Sequence, residues 1–165
     1  MGQKMIRQPR VDELELLTDI AIEHAHDAGL INHDTLDRAH FKKQLRAIMI
    51  SPDYKIWVYE KNDKFVAYII AGVFQKLWNP TKYGELILFF VHPEVRNKYL
   101  ADDLFNVAQD WFVECGCIYQ QASCLMYTEE YQPNKEWLHR ATTYFKTRGM
   151  AEVGYHYVQD LEMFR

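Results

Sequence analysis

Residues 86–91 read Leu-Ile-Leu-Phe-Phe-Val and run straight into His92-Pro93. Side chains that are all apolar cannot alternate between core and water, so a strand here must be buried on both faces. Such a strand needs a packed layer on each side of its sheet. The helical periods elsewhere in the chain supply those layers. Apolar positions recur at Leu14, Leu17, Ala21, Ala25 and Ala28, a helix over residues 11–28 that Gly29 ends. Asp34 is placed to cap a second helix running to about Ile50, with Phe41, Leu45 and Ile48 on one face and Ser51-Pro52 as its stop.

The period then changes. Residues 56–60 and 65–72 are rich in β-branched and aromatic types, and Lys61-Asn62-Asp63-Lys64 between them reads as a hairpin turn. The central strand covers residues 83–91. A third helix extends from about Tyr99 to Glu114, striped by Leu100, Leu104, Val107, Ala108 and Trp111 and closed by Cys115-Gly116-Cys117. Residues 118–127 read as a strand. Trp137, Ala141, Tyr144 and Phe145 mark a fourth helix that Gly149 ends. With an opening strand at residues 5–7 and closing strands at 150–157 and 158–164, the order is β-α-α-β-β-β-α-β-α-β-β. That order predicts an α/β sandwich around one mixed sheet.

Composition narrows the function classes. The chain has 165 residues, of which 48% are apolar and 25% charged, ordinary proportions for one globular domain over residues 1–165. A net charge of −4 and a pI of about 6.0 provide no basic field for nucleic acid or an anionic membrane. The acidic residues Asp12, Glu13, Glu15, Asp19, Glu23 and Asp27 face a following basic set, Arg38, Lys42, Lys43 and Arg46, which reads as two solvated helix faces that attract each other. Three cysteines, two of them at Cys115 and Cys117, suit a reducing compartment better than a disulfide framework. No apolar leader or membrane span is present in the sequence, so a cytoplasmic location is expected. His24, His26, His33 and His40 lack metal-ligand spacing, and no metal is expected.

The chemistry points to Phe89-Phe90-Val91-His92-Pro93-Glu94-Val95-Arg96-Asn97-Lys98-Tyr99-Leu100-Ala101. A buried strand enters a tight loop that opens directly onto a helix, so backbone N–H groups and the helix dipole converge on an anion site. This segment resembles the acetyl-CoA loop of the GNAT superfamily of N-acetyltransferases. Their signature, Arg/Gln-x-x-Gly-x-Gly/Ala, reads here Arg96-Asn97-Lys98-Tyr99-Leu100-Ala101. Residues 58–67 look like the family's second hairpin, and residues 141–150 like its last helix and following turn.

The resemblance implies a GNAT-like (acyl-CoA N-acyltransferase) fold, a mixed, mostly antiparallel sheet flanked by about four helices. It also implies acetyl transfer from acetyl-CoA to a primary amine, directly within a ternary complex. Arg96, Asn97, Lys98, Tyr99, Leu100 and Ala101 would hold the cofactor's pyrophosphate, and the backbones of Phe89 and Val91 would steer its thioester arm. Tyr99 occupies the first glycine position, where its ring must either swing out or crowd the phosphates. Asp102 and Asp103 would repel a nearby phosphate.

For proton transfer the resemblance suggests a strand glutamate and a last-helix tyrosine. Glu85 is the better base candidate, with Glu60 on the neighbouring strand behind it. The tyrosine position falls on Phe145, leaving Tyr144, about 100° around the helix, as the acid candidate. Glu23, His24, Asp27, Tyr127, Glu129 and Glu130 would line the acceptor region, which suits a cationic amine, either a small molecule or a protein amine. Oligomeric state stays open, a homodimer included. The competing reading is a GNAT-fold binding or structural protein without turnover. The enzyme requires an opening beside the central strand and free amides at the third helix's start, whereas the binding protein would have Tyr99 filling that opening.

Overall fold

The computed structural model describes residues 6–28, 36–123 and 135–152. Its strands are β1 (Ile6–Arg7), β2 (Tyr54–Lys61), β3 (Lys64–Gln75), β4 (Lys82–Val91) and β5 (Gln120–Ala122). The helices are α1 (Leu14–Asp27), α2 (Arg38–Ile50), α3 (Lys98–Glu114) and α4 (Lys135–Thr147). The strands lie in the order β1-β2-β3-β4-β5, antiparallel except for β4 and β5, which run parallel with α3 as the crossover. This is the mixed α/β sandwich expected. Residues 150–152 form no strand, and the remainder of the two expected closing strands lies outside the described residues.

Local chemistry explains the connections. The β2–β3 hairpin turns on Asn62 and Asp63, both at positive φ (53° and 58°), as a two-residue turn of matching twist requires. Helix α2 is capped by Asp37, whose side chain accepts from the His40 N–H; the cap is therefore not Asp34, which lies outside the described residues with Gly29. At the end of α3, Gly116 takes φ +76° while its N–H reaches the Val113 carbonyl and that of Cys117 reaches Phe112. Gly149 repeats the same double closure after α4.

Two cores sit on opposite faces of the sheet. Helix α3 covers Trp57, Ala67, Ile69, Leu86 and Val91 with Leu104, Phe105, Ala108 and Phe112. Helices α1 and α2 cover Ile56, Val58, Tyr68, Ile70 and Phe90 with Leu17, Ile20 and Leu45. Each large side chain fully buried this way contributes roughly 1.5–3 kcal/mol. The acidic and basic helix faces do meet: Arg38 reaches Glu15 (3.0 Å) and Asp19 (2.6 Å), and Lys42 also pairs with Glu15. These pairs are solvated and screened, so they orient α1 against α2 more than they stabilise it.

Candidate active site

Strand β4 changes partners halfway along. Gly84, Glu85 and Leu86 pair with Gln120, Gln121 and Ala122, and no described residue continues the pairing beyond Leu86. At the same point Ile87 is an extra residue opposite β3, since Ala71 faces Leu86 while Ile70 faces Leu88. The bulge resets the alternation. Ile87 and Leu88 both turn to the α1–α2 face, after which Phe89 and Val91 face α3. His92 donates its N–H to Val66 on β3. By alternation, the backbone groups of Val91 and Phe89 then point the other way, to the β5 side, where no described strand pairs with them.

That edge leads directly to the loop. Pro93–Val95 form one 3-10 turn, and Asn97 caps α3 by accepting from the Leu100 N–H at 2.9 Å. The Ala101 N–H already donates to the Asn97 carbonyl. Helix geometry leaves the N–H groups of Lys98 and Tyr99 with no intrahelical acceptor, at the positive end of a seventeen-residue helix. Tyr99 is 81% exposed and keeps an ordinary helical φ, so its ring swings out and the backbone is unstrained. A groove of about 580 Å³, bordered by Ile6, Tyr59, Arg96, Asn97, Tyr99 and Asp103, opens on the loop's β1–β2 flank.

Arg96, expected to hold phosphate, also makes two contacts within the protein. Its Nε donates to the Val91 carbonyl (3.1 Å) and its Nη2 to Asp27 (3.1 Å) at the end of α1. The guanidinium therefore ties β4, the loop and α1 together. It also takes Asp27 out of the expected free acidic lining.

Helix α4 brings Tyr144 to the same opening. Its ring centroid lies 6.0 Å from that of Phe89 and 6.2 Å from that of Phe105, while Phe145 packs beside it on Phe105. The phenol donates to Asp102 Oδ1 at 3.2 Å. Burial, then the Asp102 charge, hold its pKa well above the ordinary tyrosine value. Asp102 in turn lies 3.6 Å from Arg148, so its charge is paired toward α4.

The two glutamates part company. Glu60 is held by Arg7 at 2.5 Å, in a cluster where Arg7 also grips Glu13 through two 2.7 Å bonds. Glu85 is half-buried and accepts only from Gln121 Nε2, at 3.1 Å, among the described residues. It lies four residues before Phe89, roughly 13 Å along a strand, on the sheet face opposite α3. Of the acceptor residues expected, His24 turns inward and pairs with Tyr68 (2.7 Å), and Glu23 approaches His92 at 3.8 Å. Tyr127, Glu129 and Glu130 lie outside the described residues.

Two features escaped the sequence reading. Gln120 on β5 has a buried Oε1 with no hydrogen-bond partner among the described residues. Its neighbour in register is Gly84, whose open side faces the Phe112 ring, which puts Gln120 on the α3 face at the first paired position of β5, at the end of α3 away from the loop. Nothing in a lone Gln signals that placement. The Arg96–Asp27 tie is likewise a matter of tertiary placement.

The model of the acetyltransferase (GNAT) family matches residues 19–132, more than half of the chain. The chain belongs to that family. Its fold is similar to that of a predicted acetyltransferase from Clostridium acetobutylicum solved with acetyl-CoA, with a TM-score of 0.76, 14% identity and 98% of each chain covered. A possible acetyltransferase from Clostridium difficile gives a TM-score of 0.69 at 20% identity, over 95% of this chain and 96% of that one. An aminoglycoside N-acetyltransferase in complex with CoA gives 0.70 at 12% identity, over 96% and 94%. At these identities the likeness is one of fold. No curated protein matches the chain.

Proposed function

We propose that the chain is an acetyl-CoA-dependent N-acetyltransferase, one GNAT-like domain over residues 1–165, that acts in the cytoplasm on a primary amine by direct transfer in a ternary complex. One observation carries this reading: a stretch of β4 that pairs with no described residue on its β5 side runs straight into the N-terminus of α3. Acetyl-CoA, when bound, supplies an acetyl thioester whose C–S bond breaks as the amine nitrogen forms the amide. The loop Arg96–Ala101 would hold its pyrophosphate, with the Lys98 and Tyr99 N–H groups as donors and Arg96 and Asn97 as the braces that order them. Leu100 and Ala101 contribute the first helical turn. The backbones of Phe89 and Val91 would take the amide-bearing arm.

Glu85 is the base in this reading. Its Oε1 accepts no hydrogen bond from a described residue and would take a proton from the incoming ammonium, directly or through one water. Tyr144 is the acid candidate because it packs against Phe89 and keeps its proton at neutral pH. That proton is directed at Asp102 and would have to rotate toward a leaving thiolate.

Calorimetric titration of acetyl-CoA into the purified protein tests the reading, with Tyr99→Glu as the comparison. The ring is exposed, so the substitution leaves the core intact while adding a negative charge beside the proposed phosphate site. Micromolar binding, weakened at least tenfold in Tyr99→Glu, is the expected result. Absence of binding at millimolar acetyl-CoA overturns the proposal.

A further inference from the structure

The chain has three cysteines, and two of them, Cys115 and Cys117, share the turn that ends α3. Cys115 is the last helical residue's neighbour, Gly116 follows at φ +76°, and Cys117 leads on toward β5. Backbone hydrogen bonds hold the turn: the N–H groups of Cys115, Gly116 and Cys117 donate to the carbonyls of Trp111, Val113 and Phe112. Beyond it, the Ile118 N–H reaches the Lys82 carbonyl and the Gly84 N–H reaches that of Tyr119. The turn is therefore fixed to the helix on one side and to the sheet on the other. Both thiols are free.

The glycine decides how close the two cysteines come. A left-handed residue curls the chain as tightly as a helical one, in mirror image. Helical curvature sets Cα atoms two residues apart at about 5.4 Å, inside the roughly 4.4–6.8 Å that disulfides span. Both side chains also leave the turn in the same direction, since Cys115 and Cys117 pack, partly buried, against the one core under α3. Gly116 between them is exposed, and a Cβ on it would meet nothing within 4 Å. The bare outer backbone leaves the turn open to a small reagent.

The surroundings give the two thiols different parts. Lys82 lies two residues before Gly84 on β4, so it shares the face that Gly84 turns to Phe112 at the end of α3. Burial and the adjacent Cys115 thiol push the Cys117 thiol up, and the Lys82 charge pulls it back down. Cys117 therefore rests protonated at neutral pH, and Cys115 is left to react first. Lys82 then favours the Cys117 thiolate that a second step needs.

We propose that Cys115 and Cys117 are a redox dithiol that exchanges with low-molecular-weight disulfides and closes to an intramolecular bridge. The Cys115 thiolate attacks one sulfur of the external disulfide, forms a mixed disulfide and expels one thiolate. The Cys117 thiolate attacks the Cys115 sulfur, forms the S–S bond and expels the second. The protein gives up two electrons and two protons, and one external disulfide becomes two thiols. The site lies at the opposite end of α3 from the cofactor loop, about 25 Å along the helix, so it stands apart from acetyl transfer.

The test equilibrates the folded protein with glutathione and glutathione disulfide at several ratios, quenches with acid, alkylates the remaining thiols and weighs the products by mass spectrometry. The expected result is loss of two alkylatable thiols with no glutathione bound, in the parent and equally in Cys124→Ser. Cys117→Ser should instead stop at one glutathione on Cys115, which dithiothreitol removes, with its melting temperature as the control for folding. The same titration in urea measures what the turn adds, and the bridge should form at least tenfold more readily in the folded protein. A parent that keeps its thiols in excess glutathione disulfide, a bridge that requires Cys124, or equal closure in folded and urea-unfolded protein overturns the proposal.

Discussion

The Arg96 guanidinium is engaged by the Val91 carbonyl and by Asp27, and the proposed function gives it a bracing role in cofactor binding. Substituting Asp27 by Ala leaves Arg96 charged but loose. If ordering the loop is its role, Asp27→Ala weakens acetyl-CoA binding as Arg96→Ala does. Part-exposed ion pairs contribute up to about 1 kcal/mol, so the loss should be no more than roughly fivefold. Calorimetry with unchanged or tighter binding in Asp27→Ala would instead make Arg96 a direct phosphate ligand. Tyr144 allows a second single-residue test. Burial and Asp102 both hold its phenol up, so Asp102→Asn should lower its titration midpoint yet leave it above that of a free tyrosine. Ultraviolet difference titration, with Tyr144→Phe to assign the signal, reads this directly, and an unmoved midpoint would mean that Asp102 does not act on the phenol.

At the scale of elements, β4 and α3 are joined at Gly84. A Cβ there would lie 2.4 Å from the Phe112 ring, a contact that only movement of α3 or of the ring relieves. Gly84→Ala should therefore destabilise the fold by about 1–3 kcal/mol, seen as a lower urea midpoint with an unchanged slope; an unchanged midpoint would show that α3 is free to shift. The existence of these elements was legible because the all-apolar run 86–91 and the stripe from Leu100 to Trp111 each fit one period. The bulge was not. In an unbroken apolar run, putting Ile87 and Leu88 on the same face costs no change of residue type, so no pattern records it. The α2 cap was read at Asp34 because Asp34 and Asp37 carry the same chemistry, and nothing in residue type shows that Asp37 is the one that takes the His40 N–H. The strand–loop–helix junction was legible, whereas the outward turn of Tyr99 and the Arg96–Asp27 tie depend on neighbours distant in sequence.

Across the whole molecule, the layer of α1 is fastened to the sheet by a buried polar contact in an apolar core. His24 stacks on Phe90 with ring centroids 4.8 Å apart and hydrogen-bonds the fully buried Tyr68 through Nδ1. The phenol needs a partner, and an unprotonated Nδ1 accepting its proton satisfies both groups. Burial holds the His24 pKa down to about 4, with Asp27 pulling it up and Arg96 pushing it down. In the unfolded chain the same imidazole titrates near 6.5. Between those values the unfolded state binds a proton that the folded state refuses, so stability falls as pH drops below about 6.5. The loss reaches about 2 kcal/mol by pH 5, or roughly 4–8 °C in Tm for a chain of this size. Glu13, held down to about 2 chiefly by its hydrogen bonds from Arg7, keeps its stabilising charge through that window and loses it only below about pH 4.5. The two effects therefore separate along the pH axis. His24→Gln keeps an acceptor for the Tyr68 phenol but does not titrate, so its Tm should be nearly flat from pH 7 to 5 while the parent's falls. Parallel Tm curves for parent and variant would show that His24 titrates normally, and that α1 is held to the sheet without this contact.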